Sequence, residues 1–252
     1  MGFEVAAEAY DRFMGRYSVP LARAFANFAA VEAGQRVLDV GCGPGALTSE
    51  LVGRLGSTQV AAVDPSESFV AAAAARHPGV DVRRAAAERL PFEDGTFDAA
   101  LAQLVVHFMT EPVAGLREMA RVTVAEGVVA ACVWDHQGGS GPLSVLWTAA
   151  HALDPAVEDE SGLAGARAGH LTQLFDEAGL QGLRDGAVSV NVEHPTFEEW
   201  WEPFLLGVGP AGAYVAGLDV ERREELREQC RAQLPAAPFT LTATAWAALG
   251  RT

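Results

Sequence analysis

Arg36-Val-Leu-Asp-Val-Gly-Cys-Gly-Pro-Gly-Ala-Leu-Thr48 joins a short apolar segment to three closely spaced glycines and a helix-forming run. An apolar strand pattern runs into Gly41, Gly43 and Gly45, and a helix-forming run follows from Ala46. Glycines at such a turn let the backbone take positive φ and approach a ligand closely, while the first amides of the next helix point at whatever binds. Outward from this loop the same rhythm repeats. Strand patterns at Arg36–Val40, Gln59–Val63, Val80–Arg83, Phe97–Leu101 and Gly127–Val133 alternate with helix patterns at Ala46–Leu55, Glu67–Arg76 and Pro112–Val122. That alternation predicts a doubly wound, Rossmann-like α/β fold with a mostly parallel sheet, and a ligand crevice beyond the strand carboxyl ends.

The flanks are organised around this core, residues 36–135, and the whole chain, 1–252, reads as a single domain. Residues 1–35 read as an N-terminal helical flap: Ala7–Ala30 carries Tyr10, Phe13, Tyr17, Leu21, Phe25 and Phe28 at helical spacing, a stripe that packs on the domain or closes over a ligand. In residues 136–252, Leu183–Val192 and Phe239–Ala248 read as two further strands. The excursion between them, near 195–238, is too long for an ordinary loop and is expected to cover a substrate site.

Composition excludes several functions. With 252 residues, 18 basic against 33 acidic side chains and a net charge of -15, the surface repels phosphate backbones and anionic lipid, so neither nucleic acid nor membrane is an expected partner. Every basic residue is arginine, which removes a Walker A lysine, a kinase lysine and a Schiff-base lysine. Cys42, Cys132 and Cys230 are scattered without metal-ligand spacing, as in a reducing compartment, and no metal site is read from them. The N-terminus shows no signal-peptide pattern and no run spans a bilayer, so a cytoplasmic protein is expected.

The glycine loop alone leaves two ligands open. Gly41, Gly43 and Ala46 satisfy G-x-G-x-x-G/A, and Asp64 ends the next strand where a ribose-binding acid belongs, which fits an NAD-dependent oxidoreductase. Asp39 argues otherwise. A carboxylate two residues before the first glycine repels a pyrophosphate and attracts an ammonium or a sulfonium. Gly45 also comes one residue too early for the dinucleotide pattern. A second segment, Ala87-Glu-Arg-Leu-Pro-Phe-Glu-Asp-Gly-Thr-Phe-Asp98, turns at Asp94-Gly95 and leads into the fourth strand, with Gln103 at its carboxyl end.

VLDVGCGPGALT, the Val63-Asp-Pro65 strand end and AERLPFEDGTFD together resemble the motifs of class I S-adenosylmethionine-dependent methyltransferases with small-molecule acceptors, and resemble uncharacterised bacterial members elsewhere. The resemblance implies methyl transfer by in-line displacement, with S-adenosylmethionine as cofactor and S-adenosylhomocysteine as product. Asp39 and the loop Gly41, Cys42, Gly43 and Gly45 would line the methionine part, and Asp64 with Pro65 would meet the ribose. Ala87 and Glu88 would border the adenine, and Gln103 would lie near the methionine tail. Many relatives carry Asp where this chain has Ala86, which leaves the adenine amino group to backbone, Glu88 or water. In a chain without lysine, Arg16 is the named partner for the methionine carboxylate.

His107 follows the fourth strand and is the candidate base or acceptor-positioning residue. Asp135 and His136 follow the fifth, and Trp134, Trp200 and Trp201 offer an apolar wall for the acceptor. A non-catalytic module that only binds S-adenosylmethionine is the remaining alternative.

Overall fold

The computed structural model describes residues 7–252, and elements are named in chain order. The chain opens with a helical turn, α1 (Ala7–Tyr10), a widened π turn over Asp11–Gly15 and α2 (Arg16–Phe28). The core runs β1 (Val37–Val40), α3 (Ala46–Leu55), β2 (Val60–Asp64), α4 (Glu67–Arg76), β3 (Asp81–Arg84), β4 (Phe97–Gln103), α5 (Pro112–Val122) and β5 (Thr123–Trp134). It continues with α6 (Ser144–Leu153), α7 (His170–Glu177) and β6 (Gln181–His194). Three helices, α8 (Phe197–Trp201), α9 (Gly209–Gly217) and α10 (Val220–Gln233), precede β7 (Phe239–Arg251).

The seven strands form one sheet in the order β3-β2-β1-β4-β5-β7-β6, parallel from β3 to β5 and antiparallel at β7 and β6. This is the predicted doubly wound arrangement. Strands β1 and β2 are buried at every position, as expected where helices cover both faces. Side-chain parity divides the core: Val37, Val60, Leu101 and Cys132 face α2, α3 and α6, whereas Leu38, Val63, Ala102 and Val133 face α5 and α7.

Two expectations shift. The single helix expected over Ala7–Ala30 is broken by the π turn, whose extra residue resets the helical face. Beyond it Tyr17, Leu21 and Phe25 are buried against the sheet, whereas Tyr10, Phe13 and Met14 border a cavity, so the stripe both packs and covers. The late strands are also longer than their apolar patterns, because β6 and β7 pair along Gln181–His194 and Phe239–Arg251 and their polar outward residues belong to the ladder. Among the described residues, no helix is long and apolar enough to cross a membrane.

Candidate active site

The glycine loop folds as a tight knot at the carboxyl end of β1. The amides of Gly41 and Cys42 both donate to the Val63 carbonyl, at 2.8 and 2.9 Å, and Gly45 N–H donates to the Cys42 carbonyl. Gly41, Gly43 and Gly45 all have positive φ, but for different surroundings. A Cβ on Gly41 would strike the Val105 side chain at 2.4 Å, whereas one on Gly43 would enter open space. Only Gly43 therefore leaves room beside the loop.

Two carboxylates flank that room. Asp39, on β1, is 1% exposed and accepts a 2.6 Å hydrogen bond from Thr48 Oγ1 on α3; burial pushes its pKa up to about 7 despite that bond. Asp64 ends β2 and ties the loop to the start of α4, accepting Gly43 N–H at 2.9 Å on Oδ2 and Ser66 N–H at 2.8 Å on Oδ1. Burial raises the Asp64 pKa, and the two amides oppose the rise. Gln103, at the end of β4, donates from Nε2 to the Ser18 carbonyl at 3.0 Å, while its Oε1 and the neighbouring Ser18 Oγ are buried without a partner. An acceptor left unpaired in this way costs about 1–3 kcal/mol, which a bound donor would recover.

The remaining expected cofactor residues occupy varied places. Pro65 is exposed at the β2 end, where its carbonyl accepts from Arg84 Nε at 3.0 Å. Ala87 is buried beneath α5, and the Glu88 carboxylate accepts the amides of Thr110 at 2.8 Å and Glu111 at 3.3 Å, at the start of that helix. Cys42 is buried against Ala62 and Ala73. Arg16 lies 3.0 Å from His194 Nδ1, and Tyr17 Oη lies 2.9 Å from Nε2 of the same ring. The flap is fastened to the loop by Arg76, which donates to the Pro44 carbonyl at 2.8 Å and pairs with Asp11 at 2.6 Å.

Beside this crevice a cavity opens between the flap, the turns after β4 and β5, and the 208–211 stretch. His107, Trp134 and His136 all border it, as does Glu160. Chain direction explains the placement: Leu104 takes φ +62°, a costly conformation for a non-glycine residue, and turns the chain out of β4 so that His107 faces inward. His107 Nδ1, His136 Nε2 and Trp134 Nε1 are buried without partners. Burial lowers the pKa of His107 well below the usual histidine value and that of His136 to about 4.

Other expected acceptor residues lie elsewhere. Asp135 organises the loop after β5, accepting from Gly138 N–H, Ser140 Oγ and Trp246 Nε1 at 2.6–2.9 Å, and does not border the cavity. Trp200 borders a smaller neighbouring space with Arg16 and His194, and Trp201 is buried in an aromatic cluster with Phe197 and Phe204. Glu160 was hidden in the acidic run Glu158-Asp159-Glu160, which reads as a solvated loop; it is 4% exposed and accepts Trp147 Nε1 at 2.9 Å. Nothing local in the sequence announced His194 as a buried hub.

The sheet order and the glycine loop at the end of β1 give the doubly wound, Rossmann-like architecture that the sequence predicts. Residues 38–131 match the family model described as a methyltransferase domain. The chain is 32% identical over 127 residues to a malonyl-[acyl-carrier protein] O-methyltransferase of Erwinia billingiae, covering 50% of this chain and 49% of that protein. It is 44% identical over 99 residues to a demethylmenaquinone methyltransferase of Mycolicibacterium vanbaalenii, covering 38% and 41%. The chain thus spans about half the length of these curated relatives or less. The solved structure of the YcgJ protein from Bacillus subtilis shares the fold, with TM-score 0.58 and 17% identity over 94% of this chain and 98% of that one.

Proposed function

We propose that the protein transfers a methyl group from S-adenosylmethionine to a small-molecule acceptor. The observation that supports this best is the pair of buried carboxylates, Asp39 and Asp64, on either side of an open glycine loop. The cofactor's chemistry fits those residues. Asp39, adjacent in register to Leu101 on the strand that ends at Gln103, would receive the ammonium together with the unpartnered Gln103 Oε1. Each oxygen of Asp64 accepts one amide and keeps a lone pair for a ribose hydroxyl. Pro65 would stand beside the ribose and Ala87 would border the adenine, with the Glu88 carboxylate kept on the start of α5. Arg16 would turn its remaining donors to the methionine carboxylate.

When bound, S-adenosylmethionine supplies an electrophilic methyl carbon on a positively charged sulfur. The protein's own share is placement and exclusion of water. Orientation of this kind accounts for about 7–11 kcal/mol of barrier in favourable systems. Tyr10, Phe13 and Met14 of the flap wall off the adjoining cavity, where the acceptor would sit. The charge of -15 supports a small acceptor over nucleic acid, and the scattered cysteines support a cytoplasmic setting.

Calorimetric titration with S-adenosylhomocysteine and with NADH tests the reading. We expect the first to bind and the second to give no heat. Binding of NADH with no response to S-adenosylhomocysteine overturns it, and tight binding without turnover on a broad acceptor panel reduces the protein to a binding module.

A further inference from the structure

The cavity beside the glycine loop has a wall of unusual polarity. Aromatic and aliphatic side chains make up most of it, among them Phe13, Leu104, Phe108 and Pro210. Three buried polar atoms without partners belong to residues of this wall: His107 Nδ1, His136 Nε2 and Trp134 Nε1. The two imidazoles lie 5.9 Å apart, centroid to centroid. Among the described residues no arginine borders the cavity, and the one carboxyl group that does, Glu160, is engaged by Trp147 Nε1.

Burial disfavours charge on every ionisable group there. Both histidines stay neutral near pH 7, burial pushes the Glu160 pKa up to about 7, and the Tyr10 hydroxyl keeps its proton. Surroundings that disfavour charge on the protein's own groups disfavour it on a guest too: a carboxylate would find no cationic side chain there, and an ammonium only a carboxyl that burial pushes toward its neutral form and Trp147 already engages. A neutral guest with a hydroxyl meets the opposite situation. It brings a donor for an imidazole nitrogen and an acceptor for the indole N–H, and its ring packs on the aromatic wall.

We propose that the methyl acceptor is an uncharged, largely apolar ring compound bearing a hydroxyl, that Trp134 and His136 position it, and that His107 takes the hydroxyl proton. The proposal rests on the methyl-transfer reading. His107 is chosen over His136 because its turn follows β4, which pairs directly with β1 and its Asp39, whereas His136 follows β5, one strand further away. In the step, the acceptor O–H bond breaks and its proton passes to His107 Nδ1. The oxygen lone pair forms the new C–O bond, and the C–S bond breaks with its electron pair retained by sulfur, which becomes a neutral thioether. The imidazolium then gives its proton to solvent, and the product is a methyl ether.

The test uses the full chain saturated with S-adenosylhomocysteine, titrated with 2-naphthol, 6-hydroxy-2-naphthoate and 6-(aminomethyl)-2-naphthol. 2-Naphthol is expected to bind at least about tenfold more tightly than either charged analogue. His107→Gln and His136→Gln should keep S-adenosylhomocysteine affinity within about twofold, which also shows that they fold, and should weaken 2-naphthol about fivefold or more. With S-adenosylmethionine, His107→Gln should lose about 100-fold in formation of the naphthyl methyl ether at unchanged KM for the cofactor. Equal or tighter binding of a charged analogue, or wild-type behaviour of both variants, overturns the acceptor class and the proton acceptor. Failure of the wild type to bind S-adenosylhomocysteine is a separate result that overturns the methyl-transfer reading beneath it.

Discussion

Thr48 Oγ1 donates a 2.6 Å hydrogen bond to Asp39 Oδ2, and this hydroxyl, on the first turns of α3, is what holds a nearly inaccessible carboxyl group in place at the end of β1. The arrangement is costly for the protein alone. A carboxyl whose pKa rises from 3.8 to about 7 on folding is one whose charge the folded state disfavours. A cation arriving beside it reverses that balance, so the residue is better suited to a ligand than to stability.

Asp39→Asn should therefore stabilise the free protein at alkaline pH while weakening cofactor binding. The folded state binds the Asp39 proton more tightly than the unfolded chain, so ionisation costs nothing below about pH 4, and the cost grows up to about pH 7. One pK unit corresponds to about 1.4 kcal/mol, which makes the expected gain about 2–4 kcal/mol at pH 8. Thermal melts of both proteins at pH 5 and pH 8 check this: the gap should widen with pH, and a constant gap contradicts it.

The glycines of the loop should separate by substitution. In Gly41→Ala the new methyl meets Val105 at 2.4 Å in a left-handed backbone, so about 2–4 kcal/mol of stability should be lost. Gly43→Ala meets no atom within 4 Å and should lose only about 1–2 kcal/mol of backbone energy, with cofactor affinity suffering more. Denaturant unfolding and S-adenosylhomocysteine titration of both variants would expose the difference; equal stability losses argue against it.

His194 should give the fold an acid-sensitive point. Burial and the nearby Arg16 depress its pKa from 6.5 to about 4 in the folded protein, so the unfolded chain binds its proton more readily. The contribution is complete above pH 6.5 and is lost as pH falls toward 4. His194→Gln, which can still bond Arg16 and Tyr17, should show a shallower loss of stability between those pH values, measured by urea unfolding across the range.

The parts of the fold and site that were legible in sequence are those encoded locally. The strand, glycine turn and helix around Asp39 lie within Arg36–Thr48, and Asp64 lies at the end of the next strand, so a linear pattern sufficed. The hub of Arg16, Tyr17 and His194 joins residues 177 and 178 positions apart, and no local period reports such a meeting. Glu160 shows the converse difficulty: three consecutive acidic residues look like solvent-facing chain, yet the last is drawn inward by an indole N–H. At the flap, periodicity found the apolar face, but the π turn at Asp11–Gly15 divided it between sheet and cavity.

If the glycine loop and its two carboxylates form the methyl donor's pocket, calorimetric titration of wild type and Asp64→Ala with S-adenosylhomocysteine will separate the two proteins. Hydrogen bonds to a charged group are worth about 1.5–3 kcal/mol, so the variant should bind at least about tenfold more weakly while a melt shows it folded. Undiminished affinity in Asp64→Ala, or no binding by the wild type, would contradict the assignment.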